Sequence, residues 1–115
     1  MNLRQNRIAD RIRDIVAGIL TGERLSDPRL KGVVVTRVKI TADMQLASVY
    51  FRTYNKNIAN EQIIKGLESS KGIFRHKLSD ALIMRRVPQL RFFYDESIEK
   101  KARIEQLLSQ IKREE

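Results

Sequence analysis

A change of hydrophobic period constrains this chain more than any other feature. Up to residue 21 the apolar residues recur at helical spacing. Ile8, Ile12, Ile15 and Ile19 fall at i, i+4, i+7 and i+11, and Val16 widens the stripe. From residue 33 the pattern turns β-branched, with Val33, Val34, Val35, Thr36, Val38 and Ile40 in close succession. The spacing predicts a helix over 3–21 stopped at Gly22, a loop over 23–32 marked by Ser26-Asp27-Pro28, and a strand over 33–41. Strict alternation puts Val34, Thr36, Val38 and Ile40 on one face of that strand, with Arg37 and Lys39 on the other, wetter face. A second strand over 46–54 has Ala47, Val49 and Phe51 inward, with Ser48, Tyr50 and Arg52 outward. Only four residues, 42–45, separate the two runs, which predicts an antiparallel hairpin.

Helical period returns near Asn57 or Asn60, either of which suits a cap. Ile63, Ile64, Leu67, Phe74, Leu78, Ala81 and Leu82 continue one apolar face, interrupted by Gly72. Glycine costs about 1 kcal/mol against alanine inside a helix, so a kink is expected there. Pro88 closes the helical region. A third strand follows with Leu90, Phe92 and Tyr94 on one face, and Ser97 then caps a last helix bearing Ile104, Leu107, Leu108 and Ile111. The order α-β-β-α-(kink)-α-β-α is that of an α+β domain, with helices packed on one face of a three-stranded sheet. At 115 residues the expectation is a single domain over 1–115, with 97–115 a C-terminal helix or tail.

Charge narrows the function. The net charge is +9, which calls for a polyanionic partner. It is uneven: residues 65–94 hold seven basic and two acidic side chains, whereas residues 95–115 hold five and six. The absence of cysteine excludes a disulfide framework, a thiolate metal site and a cysteine nucleophile. With one histidine, no metal site or cofactor is expected. No apolar run approaches the ~20 residues of a membrane span, and the first residues lack a signal-peptide core, so a cytoplasmic protein is expected. Every core position is supplied by one chain, which predicts a monomer.

Three groups of side chains are candidates for phosphate contact. Arg4, Arg7 and Arg11 lie on one edge of the first helix, where the bland reading is a solvated flank paired to Asp10 and Asp14. Lys71, Gly72, Arg75 and Lys77 surround the kink, where a new helix start offers free N–H groups and the positive dipole end. Arg85 and Arg86 precede the third strand, and Arg91 lies on its outward face. Arginine outnumbers lysine by 14 to 9, and its planar fork suits bidentate phosphate contact. Tyr50 and Phe93 are placed outward, where Phe93 could stack a base; edge packing is the favoured account, and the exposed aromatic pair of an RRM sheet is not evident. His76 between Arg75 and Lys77 is a solvent-facing histidine, and no P-loop, G-x-S-x-G or H-E-x-x-H occurs. A binding protein is therefore expected, not an enzyme. A small basic DNA-binding regulator would share the charge, with Arg75, Lys77 and Ser79 as a weak recognition set.

The segments Asp27-Pro28-Arg29, Asp43 through Ala47-Ser48-Val49-Tyr50, and Gly72-Ile73-Phe74-Arg75 together resemble the bacterial ribosome-binding factor A family. The strongest match is the run from Arg85 to Ser97, which resembles that family's R-x-x-P-x-L-x-F-x-x-D-x-S signature. The resemblance covers roughly residues 4–108 and rests on the order and spacing of the pieces. It implies a type II KH-like fold with a helix-kink-helix in place of a GxxG loop. The family's Ala-x-Gly kink is matched by Ser70-Lys71-Gly72, where serine replaces alanine and offers a capping hydroxyl. Gln89 stands where the family is often acidic, which makes this stretch more basic. The resemblance further implies a non-enzymatic factor that binds 16S rRNA in the immature 30S subunit, assists late maturation and 5′-end processing, and supports growth in the cold.

Overall fold

The computed structural model describes residues 2–22 and 25–114. Helix α1 (Leu3–Thr21) opens with a reciprocal cap that uses Asn2 and Gln5. The Asn2 Oδ1 accepts from the Gln5 N–H at 2.9 Å, and the Gln5 Oε1 accepts from the Asn2 N–H at 2.7 Å. Its buried stripe is Gln5, Ala9, Ile12, Val16 and Ile19, with Ile8 and Ile15 half-buried at its edge. A 3-10 turn over Pro28–Leu30 follows, capped by Asp27, which also pairs with the Arg29 guanidinium at 2.7 Å. This turn is held close to the next helical region at Gly66, where a Cβ would meet Asp27 Oδ2 and Leu30 Cδ2 at 3.1 Å.

Strands β1 (Val33–Ile40) and β2 (Leu46–Thr53) form the antiparallel hairpin. Simple alternation fails on β1. Val33, Val35, Val38 and Ile40 are buried, while Val34 and Thr36 are exposed. A bulge between Val35 and Arg37 adds one residue, and Thr36 leaves the ladder. The extra residue re-phases the strand, so that Val38 and Ile40 stay on the core side. The hairpin loop is fixed by Asp43, whose Oδ1 accepts from the Thr41 hydroxyl at 2.6 Å and from the Gln45 N–H at 3.0 Å.

Helices α2 (Asn60–Ser69) and α3 (Lys71–Ala81) carry the second apolar stripe. Neither predicted asparagine cap is used: Ala59 is the N-cap of α2, without a side-chain bond. The break falls at Ser70 (φ −95°, ψ 3°), and Gly72 lies in the first turn of α3 with ordinary helical φ. Ser70 is buried, and its side chain does not cap α3. Strand β3 (Gln89–Tyr94) pairs parallel to β2, giving the order β1-β2-β3 in a mixed sheet. Phe74 of α3 packs against Phe92 of β3 with centroids 5.8 Å apart, and truncating a buried ring of this kind costs about 3–5 kcal/mol.

The predicted α+β layering is present, with α1, α2 and α3 on one face of the sheet. Helix α4 (Ser97–Glu114) departs from it. No residue of α4 is buried, and Ile104, Leu107, Leu108 and Ile111 are all more than half exposed. Ser97 is its first helical residue, not its cap, and the chain turns at Asp95. The Asp95 carboxylate accepts from the Thr36 hydroxyl at 2.5 Å and from the Ser97 N–H at 3.0 Å. Arg52 donates to the Asp95 carbonyl and to both Glu99 oxygens, and the Tyr94 hydroxyl donates to Glu99 at 3.1 Å. Polar bonds therefore anchor the base of α4, and its apolar stripe remains open.

These bonds hold two carboxyls down. The Thr36 hydroxyl lowers Asp95 to about 2, and the Arg52 guanidinium lowers Glu99 to about 2. A depressed carboxyl contributes stability above its unfolded pKa near 4, and that stability is lost as pH falls through 2. We predict that Asp95→Ala costs about 1–3 kcal/mol at neutral pH. Urea unfolding should also show a shallower loss of stability between pH 4 and 2 than in the parent protein.

Candidate nucleic-acid interface

Three segments close around an open cleft of about 1540 Å³: the hairpin loop over 42–46, the outer side of α3, and the connection over 83–87 that leads into β3. The N-terminus of α1, positioned by its capping pair, forms a fourth edge at Asn2 and Arg4. Arg4, Arg75, Arg85, Arg86 and Arg91 all line this space. Each is exposed, and among the described residues none of the five has an ion-pair partner. Among the described residues the one carboxylate in the wall is Asp43, whose Oδ1 accepts from Thr41 and Gln45 and whose pKa the Thr41 hydroxyl lowers. Five uncompensated guanidiniums thus face one hollow. Their mutual repulsion is relieved by an anion.

The sequence candidates separate in space. Arg4, Gly72, Arg75, Arg85, Arg86 and Arg91 share the cleft. Lys71 borders a smaller adjoining hollow of about 240 Å³ and pairs with Glu68 at 2.6 Å. Arg11 stays exposed and donates to the Ala81 carbonyl at 3.1 Å, which ties α1 to the end of α3. Arg7 and Lys77 are exposed but do not line the cleft. Asp10 and Asp14 pair with Arg13, not with Arg4, Arg7 or Arg11. On α3 only Arg75 and Ser79 of the weak recognition set reach the cleft wall, while Lys77 lies elsewhere.

The break at Ser70 has the expected electrical consequence. Ser70 directs its own N–H back to Gly66 and Leu67, and its carbonyl accepts from Ile73 and Phe74. Lys71 and Gly72 are the first two residues of α3, where helix geometry leaves N–H groups without a partner in the same helix. They lie at the positive end of the α3 dipole, and Gly72 lines both hollows.

Sequence reasoning missed two features. One is the hairpin loop as a wall of the cleft, which the turn residues alone do not reveal. The other is the contact between two aromatics that the sequence placed outward one by one: the half-buried Tyr50 ring and the exposed Phe93 ring lie 5.6 Å apart on the open face of the sheet. The parallel register of β3 on β2 places them opposite each other, and no local pattern encodes that register. Among the described residues there is no His, Cys, Asp and Glu group able to hold a metal ion, and no helix is long and apolar enough to cross a membrane.

Comparison with known proteins follows this geometry. Residues 4–108 match the sequence profile of the family described as ribosome-binding factor A. A ribosome-binding factor A of Geobacter metallireducens is 39% identical over 115 residues, covering 100% of this chain and 97% of the relative. A solution structure of a Thermotoga maritima ribosome-binding factor A-type protein superposes with TM-score 0.71 at 29% identity, over 86% of this chain and 95% of that one. The Thermus thermophilus ribosome-binding factor A, as fitted into a cryo-electron microscopy map of a 30S complex, superposes with TM-score 0.65 at 23% identity, over 80% and 96% of the two chains. Its likeness at that identity bears on the fold, which is KH-like here as there.

Gly72 offers a test of the cleft. A Cβ there would meet nothing within 4 Å, and its φ is helical. Gly72→Ala should therefore leave the melting temperature unchanged or raise stability by up to about 1 kcal/mol. Because the methyl stands in the cleft wall at the N-terminus of α3, RNA affinity measured by filter binding should fall in the same variant.

Proposed function

This chain belongs to the ribosome-binding factor A family, and from that premise we propose that it binds the small ribosomal subunit through 16S rRNA. Its target is the immature 30S particle, where it assists late maturation and 5′-end processing, with its greatest effect in the cold. It works as a monomer in the cytoplasm, by binding and not by catalysis. Residues 1–115 act as one KH-like unit, with 97–115 as an appended helix.

The observation that carries this reading is the cleft with five arginines that have no ion-pair partner among the described residues, Arg4, Arg75, Arg85, Arg86 and Arg91, beside the N-terminus of α3. Guanidinium forks and a helix N-terminus both select phosphate oxygens. Four separate segments build the wall, so the cleft fits a folded RNA backbone better than a single extended contact. Arg7 and Lys77 lie outside the cleft and add long-range attraction.

Phosphate neutralisation releases counterions, so log K should fall with log salt by about 0.7 to 0.9 per phosphate contacted. We predict that the protein co-sediments with isolated small subunits, but not with 70S ribosomes or duplex DNA. The double change Arg85→Glu, Arg86→Glu should weaken small-subunit binding by at least about tenfold and flatten the salt slope, with unfolding unchanged because both side chains are exposed. Salt-independent binding, or equal affinity for DNA, would contradict the reading.

A further inference from the structure

The face of the sheet opposite α1, α2 and α3 is uncovered, and its side chains form two rungs across all three strands. Register places Arg37, Tyr50 and Phe93 in one rung, and Lys39, Ser48 and Arg91 in the next. In the first rung the Arg37 guanidinium lies 4.2 Å from the Tyr50 ring centroid. Tyr50 leans on Phe93 at 5.6 Å with the planes tilted by 32°. The Lys39 ammonium lies 5.9 Å from the same Tyr50 ring. Phe93 is 42% exposed, although the rest of its strand buries every alternate residue up to Phe92.

Edge packing does not fully account for this arrangement. Tyr50 is already covered by Arg37 and half-buried, whereas Phe93 is supported by Tyr50 and still keeps two fifths of its surface in water. The surround is cationic. Lys39 and Arg91 have no ion-pair partner among the described residues. Among the described residues the carboxylate that pairs with these rungs is Asp95, which approaches Arg37 at 3.7 Å but is itself buried and bonded to Thr36. A face that carries an exposed aromatic ring among positive groups suits a nucleic-acid strand: bases stack on the ring while phosphates meet the cations.

Continuity with the cleft decides the occupant. Arg91 belongs both to the cleft wall and to the second rung, and the aromatic rung lies two residues further along the strands, about 7 Å away. We infer that the open sheet face is a base-stacking platform for an unpaired stretch of RNA leaving the basic cleft, with Phe93 as the stacking residue and Tyr50 and Arg37 as its support. This rests on the RNA-binding reading above and adds a preference for single strands that the cleft alone would not give.

Fluorescence anisotropy with a ~12-nucleotide labelled oligoadenylate and with an RNA duplex of equal length separates the two contributions. Phe93→Ala should weaken oligoadenylate binding by roughly 5- to 100-fold, with the salt slope and duplex affinity unchanged. Phe93→Tyr should restore the affinity, and the melting temperature of both variants should match the parent. Oligoadenylate binding by Phe93→Ala equal to the parent's, while Arg85→Glu, Arg86→Glu abolishes it, would overturn the platform and leave the RNA-binding reading intact. An equal loss on single strand and duplex would also overturn it. If the parent protein binds neither oligoadenylate nor isolated small subunits, the RNA-binding reading fails and the platform with it.

Discussion

A single hydrogen bond, from the Thr36 hydroxyl to the buried Asp95 carboxylate, organises the two ends of this fold. Thr36 reaches Asp95 because a bulge lifts it out of the β1–β2 ladder. Without that extra residue, Val33 and Val35 facing the core would force Val38 and Ile40 toward water. The same bulge sets Arg37 opposite Tyr50 and so builds the first rung of the open face. At the other end of the bond, Asp95 accepts from the Ser97 N–H and starts α4, while Arg52 and Glu99 hold its first turn. Core phase, surface chemistry and the direction of α4 therefore share one polar anchor.

The basic cleft follows a different economy of charge. Several arginines outside the cleft are satisfied internally: Arg29 by Asp27, Arg52 by Glu99, Arg13 by Asp10 and Asp14, and Arg11 by the Ala81 carbonyl. In the cleft the pattern reverses, because five guanidiniums share a wall whose single carboxylate accepts from Thr41 and Gln45. Burial does not demand this arrangement, since every one of the five is exposed. It leaves local repulsion that phosphate binding relieves, and it joins α1, the hairpin loop, α3 and the β3 approach in one surface.

Much of this was legible in the sequence, and the exceptions have definite causes. Helical period located α1 within its true bounds, and β-branched density located β1. The residue faces of β1 were not legible, because a bulge held by a contact 59 positions away leaves no local trace. Gly72 marked the kink to within two residues, but the turn belongs to Ser70, whose burial and backbone bonds are tertiary facts. Six of the ten proposed contact residues meet in the cleft, since runs such as Arg85-Arg86 keep their neighbourhood through the fold. Arg11 and Lys71 found protein partners across a helix pair and along a helix, which composition does not reveal. The apolar stripe of α4, with its near-balanced charge, left packing and projection both open in the sequence; in the structure no residue of the helix is buried.

The central claim is that the cleft is the surface applied to the small subunit. Hydrogen–deuterium exchange of the protein bound to isolated small subunits tests it most directly, because every wall of the cleft yields separate backbone signals. Protection should appear together at the hairpin loop over 42–46, at the start of α3, and along the connection over 83–87, with the outer turns of α4 exchanging as in the free protein. Protection confined to α4, with the three cleft segments unchanged, would contradict the account.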